Sequence, residues 1–325
     1  MRTCLRVGAL CSLLLASPGG IHGQEVVSVD SLRSWMQQVS NRGRWGESDE
    51  LGTLNLITPA RRQAAAASVT DGVTVSLAHD LIPGPNRNSI QPLEVEHMVA
   101  PLGVTTAALD RFNIMYHGWA YSHLDALSHF AFDSTFYNER PLDILTPSGS
   151  TSLDIGVMSN GVVGRGVLID VPRLRGVAYL EPEALITSAD FEAWEERTGV
   201  RVSEGDILLV RTGRWTREAA EGPWSVRASS AGVHPSAALW LREREVAALG
   251  GDAANDRTPS VVDGVGDPLH QLAIVGMGMP FFDNLDLEAL AVAAAERSRW
   301  HFLFVASPLR LTGASGSPVN PLAIF

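Results

Sequence analysis

Two short aliphatic runs set the tightest limit on how this chain can fold. Gly166-Val167-Leu168-Ile169-Asp170 and Asp206-Ile207-Leu208-Leu209-Val210-Arg211 are of strand length, and turn signals bound each of them. Gly72-Val73-Thr74-Val75-Ser76-Leu77-Ala78 alternates like a strand, and Pro83-Gly84-Pro85-Asn86 forces a loop after it. Residues 301–305 read as a further strand. Helical periodicity is clearest over residues 287–297, with Asp286 as cap and Arg297 and Arg299 near the C-terminal end. Shorter helices are expected over residues 182–185, 190–197 and 235–244, where Pro235 suits a first turn. Residues 24–45 make a helical lead-in, and residues 46–59 are turn-rich. Several short strands mixed with few long helices, and no repeat or linker, predict one α/β domain that is β-rich and of mixed order.

The N-terminus has to be set aside first. Arg2 and Arg6 precede an apolar run from Val7 to Ala16, and Pro18-Gly19-Gly20-Ile21-His22-Gly23 ends in a small residue. This pattern predicts a secretory leader over residues 1–23, cleaved near Gly23, and so a periplasmic or secreted protein made of residues 24–325. The run is far shorter than the roughly 20 residues that span a bilayer. Cleavage removes two arginines and no acid, taking the formal charge from −11 to −13, and removes both cysteines, Cys4 and Cys11. The remaining chain has no disulfide and no thiolate nucleophile, so packing alone must hold it.

Composition also excludes chemistry. The chain contains no lysine, which rules out Schiff-base and pyridoxal-type reactions on its own side chains. An acidic balance argues against general nucleic-acid binding, although arginines could hold an anionic substrate locally. Gly276-Met277-Gly278-Met279-Pro280 lacks the third glycine of a nucleotide loop, and no serine nucleophile elbow is present.

The chemistry concentrates in His117-Gly118-Trp119-Ala120-Tyr121-Ser122-His123-Leu124-Asp125-Ala126-Leu127-Ser128-His129-Phe130. If residues 123–125 are extended, His123 and Asp125 share one face while Leu124 points to the core. An imidazole and a carboxylate converging in this way suit a borderline divalent ion, zinc or manganese. A helical turn after Asp125 would return His129 to the same face, either as a further ligand or as an unliganded proton carrier. The competing interpretation is a buried polar network without an ion. Far downstream, His270 in Asp267-Pro268-Leu269-His270 and Asp283 in Phe282-Asp283-Asn284-Leu285 could add an imidazole and a carboxylate. His79, His97 and His301 stand singly and read as structural, and His234 reads as a loop or cap residue. Trp119, Tyr121, Phe130, Phe132, Trp215 and Trp224 offer aromatic walls for a substrate, and Arg211 and Arg214 could meet a carboxylate; core packing is the ordinary alternative for the aromatics.

Ser122-His123-Leu124-Asp125-Ala126-Leu127-Ser128-His129 resembles the signature of the metal-dependent cyclase family of hydrolases, which includes bacterial kynurenine formamidase and isatin hydrolase. Arg44-Trp45-Gly46 with Asp49-Glu50-Leu51-Gly52-Thr53-Leu54-Asn55 resembles the N-terminal signature of its longer members, and Gly205 to Gly213 a family strand and turn. The resemblance implies a swivelling β/β/α architecture, a small-molecule substrate and a homo-oligomer. It implies metal ligation by His123 and Asp125, proton transfer by His129, and a distal half-site at His270. Asp283 falls where the family carries glutamate. Trp119 stands where the family has its first histidine, and His117, two positions earlier, is the candidate replacement.

These readings predict hydrolysis of an amide-type C–N bond in an aryl formamide or cyclic amide by metal-activated water. An ester, lactone or carbamate fits the same chemistry. An exported ligand-binding protein with a vestigial metal site is the alternative of a different class, motivated by Trp119 and Asp283. A purely structural assembly protein would have to bury the polar cluster at a cost and without use.

Overall fold

The aliphatic runs become the centre of a sheet. In the computed structural model, which describes residues 26–325, strands Val162–Asp170, Ile207–Arg211, Ala248–Gly251 and Phe281–Asp283 lie side by side and parallel. Antiparallel strands extend both edges. The spatial order is Thr74–Ser76, Leu322–Ile324, His301–Ala306, Val162–Asp170, Ile207–Arg211, Ala248–Gly251, Phe281–Asp283, His123–Asp125 and Gly316–Pro318. The architecture is the expected β-rich mixed α/β domain.

Burial on both faces explains why the middles of the central strands, Val167-Leu168-Ile169 and Ile207-Leu208-Leu209-Val210, are apolar at successive positions. Val167, Ile169, Leu208, Val210, Leu249 and Phe281 enter one core. Leu168, Ile207, Leu209, Ala248 and Phe282 enter a second core on the other face. A sheet covered on both sides has no solvent face, so its strands cannot alternate with polar residues. Helices Ser188–Thr198 and Ala237–Glu243 cover the first face through Phe191, Trp194, Trp240 and Leu241. Helix Glu288–Arg297 covers the second through Leu290, Ala291 and Ala294. Full burial of each large aliphatic side chain contributes about 1.5–3 kcal/mol.

Some local expectations shift. The lead-in helix is Val29–Val39, and the helix expected over residues 235–244 is Ala237–Glu243. Residues 182–185 do not form a helix: Glu183 adopts a left-handed φ of 71°, and Leu185–Ile186 pairs in parallel with Gly232–Val233 instead. The helix expected from residue 287 starts at Glu288 with Leu287 as its N-cap, so Asp286 stands one position before the cap, where it accepts from the Glu288 N–H at 3.1 Å and holds His79 at 2.9 Å. A hairpin of Glu94–Leu102 and Thr105–Asn113, paired at nine positions, went unmarked by the periodicity. Its residues are largely exposed, including Val99, Leu102 and Phe112, so neither face had to be apolar throughout. The expected leader, residues 1–23, lies outside the described residues. Among the described residues no helix is long and apolar enough to cross a membrane.

Candidate active site

Strand register assembles the centre of the site. His123-Leu124-Asp125 is extended, and Leu124 points into the second core beside Phe282. His123 and Asp125 therefore face the other way. The neighbouring strand pairs Asp283 with His123 and Phe281 with Asp125. Directly opposed residues share a face, so the register brings Asp283 beside His123 although 160 positions separate them in sequence.

Loops and a helix supply the rest. His117 lies in the turn before the strand, and His129 in a turn closed by its own N–H donating to the Ala126 carbonyl at 3.0 Å. The two imidazoles stack at 4.0 Å with their planes 8° apart. His270 ends the short helical turn Pro268–His270, which runs on into a π-helical segment, Gln271–Met277. Such segments recur at functional sites because the extra residue per turn redirects a side chain. Gly278, left-handed at φ 67°, ends this segment beneath Tyr137. The chain then returns through the strand carrying Asp283.

Asp125 is the hub. Its Oδ1 lies 3.1 Å from His117 Nδ1 and 3.4 Å from His123 Nε2. Its Oδ2 lies 3.8 Å from His129 Nε2 and 3.7 Å from His270 Nε2. His270 Nε2 is also 3.3 Å from Asp283 Oδ2. Both Asp125 oxygens are buried and neither makes a hydrogen bond. His123 uses Nδ1 to donate to the Tyr121 carbonyl at 2.8 Å, which leaves its Nε2 lone pair toward Asp125. His117 Nε2 lies 3.2 Å from the Ser315 hydroxyl, while its Nδ1 is buried without a hydrogen bond. Acceptors aimed at one another in a buried space need a cation between them, because an unmatched buried charge is costly. Among the described residues, three groups place their ligand atoms within 4.8 Å of one another: His117, His123 and Asp125; Asp125, His270 and Asp283; and, behind His270, Asp256, Asp267 and His270. The donor set, imidazole nitrogens with carboxylate oxygens, fits a borderline divalent ion.

Electrostatics follow from this crowding. Burial alone would raise the Asp125 carboxyl, but His129, His123 and His117 outweigh it and hold the group well below the usual carboxylate range. Burial lowers His129 to about 4, against the opposite pull of Asp125. Burial would lower His270 too, yet Asp283 and Asp256 raise it well above an ordinary histidine.

All six candidate metal and proton-transfer residues, His117, His123, Asp125, His129, His270 and Asp283, come together. Of the aromatic candidates, Phe130 borders this group, its ring 4.7 Å from His129 and 5.0 Å from His270. Tyr121 is buried in a small cluster with Leu93 and Ala120. Trp119 accepts through its carbonyl from Arg214, and its ring lies 5.2 Å from the Arg227 guanidinium. Trp215 stacks on His79 at 4.0 Å and donates to the Leu285 carbonyl. Arg211 is engaged elsewhere: it pairs with Asp170 at 2.9 Å and with Glu288 at 2.6 Å. Arg214, also buried, donates to Asn284 Oδ1 at 2.6 Å and ties down the turn that carries His117. Asn255 and Asp256, which contact Asp283 and His270, carried no sequence signal, since an Asn-Asp pair in a loop ordinarily marks a turn.

The cyclase family model matches residues 73–255 of this chain. Among solved structures, a crystal structure described as a novel cyclase is 29% identical over 88% of this chain and 99% of its own, with a TM-score of 0.78. Isatin hydrolase A from Ralstonia solanacearum is 22% identical over 82% of this chain and 97% of its own, with a TM-score of 0.57. An isatin hydrolase bound to the product analogue thioisatinate is 17% identical over 78% of this chain and 92% of its own, with a TM-score of 0.53. No curated protein matches the chain in sequence. The family match spans more than half of the sequence and contains the whole His117 to His129 segment, so the chain belongs to the cyclase family.

Proposed function

We propose that this chain hydrolyses an amide-type C–N bond in an aryl formamide or cyclic aryl amide, using a divalent ion, zinc or manganese. The chain is an enzyme of the hydrolase class by its family. One observation carries the metal reading: both oxygens of a buried carboxylate, Asp125, face imidazole nitrogens with no proton donor between them. His117, His123 and Asp125 would hold one ion, with His270 and Asp283 as the distal half-site. When bound, the ion supplies a Lewis acid for a carbonyl and lowers the pKa of water.

The chain's own groups supply the rest. His129, kept neutral by burial at ordinary pH, can accept a proton at Nε2 and return it to a leaving nitrogen. Its stacking on His117 fixes the ring plane. Phe130, edge-on to His129 and inclined to His270, offers an apolar wall for an aryl substrate and excludes water from that side. The amide assignment draws support from the isatin hydrolases that share the fold.

The deciding experiment couples elemental analysis of purified protein to product assays on aryl formamides, cyclic aryl amides, esters and lactones. Stoichiometric metal with turnover of the amides supports the reading, and turnover of esters or lactones alone moves the substrate class. Bound metal with tight ligand binding and no product would return the chain to a binding protein. Export is part of the same proposal, and N-terminal sequencing of protein from its native host should begin near Gln24. So is a homo-oligomer, for which the exposed hairpin is the candidate surface; a monomer in sedimentation would remove that part.

A further inference from the structure

We propose that Asn255 and Asp256 are positioning residues that lock His270 and Asp283 into their ligand-ready orientations. The proposal rests on reading His270 and Asp283 as the distal half of the metal site.

The two residues are consecutive and sit in the loop after strand Ala248–Gly251. Asn255 has a left-handed φ of 47°, a conformation that asparagine tolerates better than most residues. From there its Nδ2 donates to Asp283 Oδ1 at 2.6 Å and to the Phe282 carbonyl at 3.2 Å. One Asp283 oxygen is thereby occupied, and the other, Oδ2, is the one that faces His270 Nε2. Asp256 takes hold of the imidazole from the opposite end. Its Oδ2 accepts from His270 Nδ1 at 2.6 Å and from the His270 backbone N–H at 3.0 Å, while Oδ1 accepts from the Leu269 N–H at 2.7 Å.

A carboxylate only accepts, so this contact puts a proton on Nδ1 and aims Nε2 at Asp283 and Asp125, leaving Nε2 as the nitrogen that can give its lone pair to a cation. The anchors are themselves fixed. Asp256 and Asn255 are almost fully buried, the Asn255 carbonyl accepts from the Val233 N–H at 2.8 Å, and the Ala253 carbonyl accepts from the Asn284 N–H at 3.0 Å. A single tied loop therefore sets the rotamer of one ligand and the free oxygen of the other. The Asn255 amide on Oδ1 stops the Asp283 carboxylate from rotating and keeps Oδ2 toward His270. Outer partners of this kind are worth about 10- to 100-fold in metal affinity.

The test is zinc affinity by competition with a chromophoric chelator, in wild type, Asp256→Asn, Asn255→Gly and His270→Ala. The glycine keeps the left-handed backbone. The His270→Ala variant identifies which binding event belongs to the distal half-site. The expected result is that D256N and N255G weaken that event by about 10- to 100-fold. If H270A weakens zinc binding while D256N and N255G, melting as wild type does, bind like wild type, the positioning role is overturned and the half-site stands. If H270A binds zinc as wild type does, the half-site reading itself falls and takes the proposal with it. Should D256N and N255G fail to fold, the zinc-loaded wild type still decides through ¹⁵N-histidine spectra. A protected proton on His270 Nδ1, assigned by its loss in H270A, supports the proposal, and a bare Nδ1 overturns it.

Discussion

His117 Nδ1 and Asp125 Oδ1 stand 3.1 Å apart, both buried and neither hydrogen-bonded. The pair makes sense if a cation belongs between its members and is costly otherwise. Asp125→Asn tests this. The variant should lose the bound divalent ion, and treatment with a chelator, which lowers the melting temperature of the metal-loaded wild type, should leave that of the variant unchanged. Wild type with metal at a hundred times its dissociation constant should gain about 2.7 kcal/mol over its metal-free form. Calorimetry of the two proteins with and without zinc checks this, and a D125N protein destabilised equally in both conditions would remove the cation from the argument.

His129 is set apart because its ring nitrogens belong to neither of the ligand groups that share Asp125, and because burial keeps its imidazole neutral. Replacing it with alanine should reduce kcat by about 10²- to 10⁴-fold while leaving the metal content near that of wild type. A parallel fall in both would place His129 in the ligand shell.

The pH dependence has a definite sign. His129 is lowered to about 4, so its neutral form, the proton acceptor, persists above that value and disappears as pH falls through it. At saturating metal, kcat should hold steady down to about pH 5 and then decline. A limb near 6.5, the position of an ordinary histidine, would show that the imidazole is not shielded as the structure has it.

Much of this site was legible because strand geometry is periodic. The His123-Leu124-Asp125 spacing places two ligand types on one face in any extended segment, and the short turn to His129 follows from four residues. Sequence could not supply the register that sets Asp283 against His123. Nor could it supply the π-helical segment after His270, because both depend on contacts more than a hundred positions apart. Asn255 and Asp256 were invisible for a related reason: their chemistry lies in what they touch. The long exposed hairpin escaped because patterning reports burial, and little there is buried.

Phe130 is the aromatic candidate that touches two imidazoles of the centre. Phe130→Ala should raise KM for an aryl formamide by about 2- to 12-fold, the range that corresponds to an aromatic contact of 0.5–1.5 kcal/mol. KM for a small aliphatic formamide should stay unchanged. Equal effects on the two substrates would mean that Phe130 supports the imidazoles rather than the substrate.

Arg211 offers the sharpest contrast between what a residue type suggests and what its surroundings allow. As an arginine near a site, it is a natural partner for a substrate carboxylate. In the structure its guanidinium is nearly buried, with Asp170 on one side and Glu288 on the other, and Thr216 also donates to Glu288 at 2.6 Å. Asp170 ends strand Val162–Asp170, Arg211 ends strand Ile207–Arg211, and Glu288 opens helix Glu288–Arg297, so the cluster ties two central strands to the helix on the second face. Burial opposes the charge on Arg211, and Asp170 and Glu288 outweigh it, holding the guanidinium above its ordinary range. Removing one partner strands a buried carboxylate, which typically costs about 3–5 kcal/mol. Arg211→Met should therefore lower the melting temperature strongly, while KM for carboxylate-bearing and neutral aryl amides moves alike in whatever folded protein remains. A selective rise in KM for the carboxylate-bearing substrate, with stability intact, would return Arg211 to the binding site.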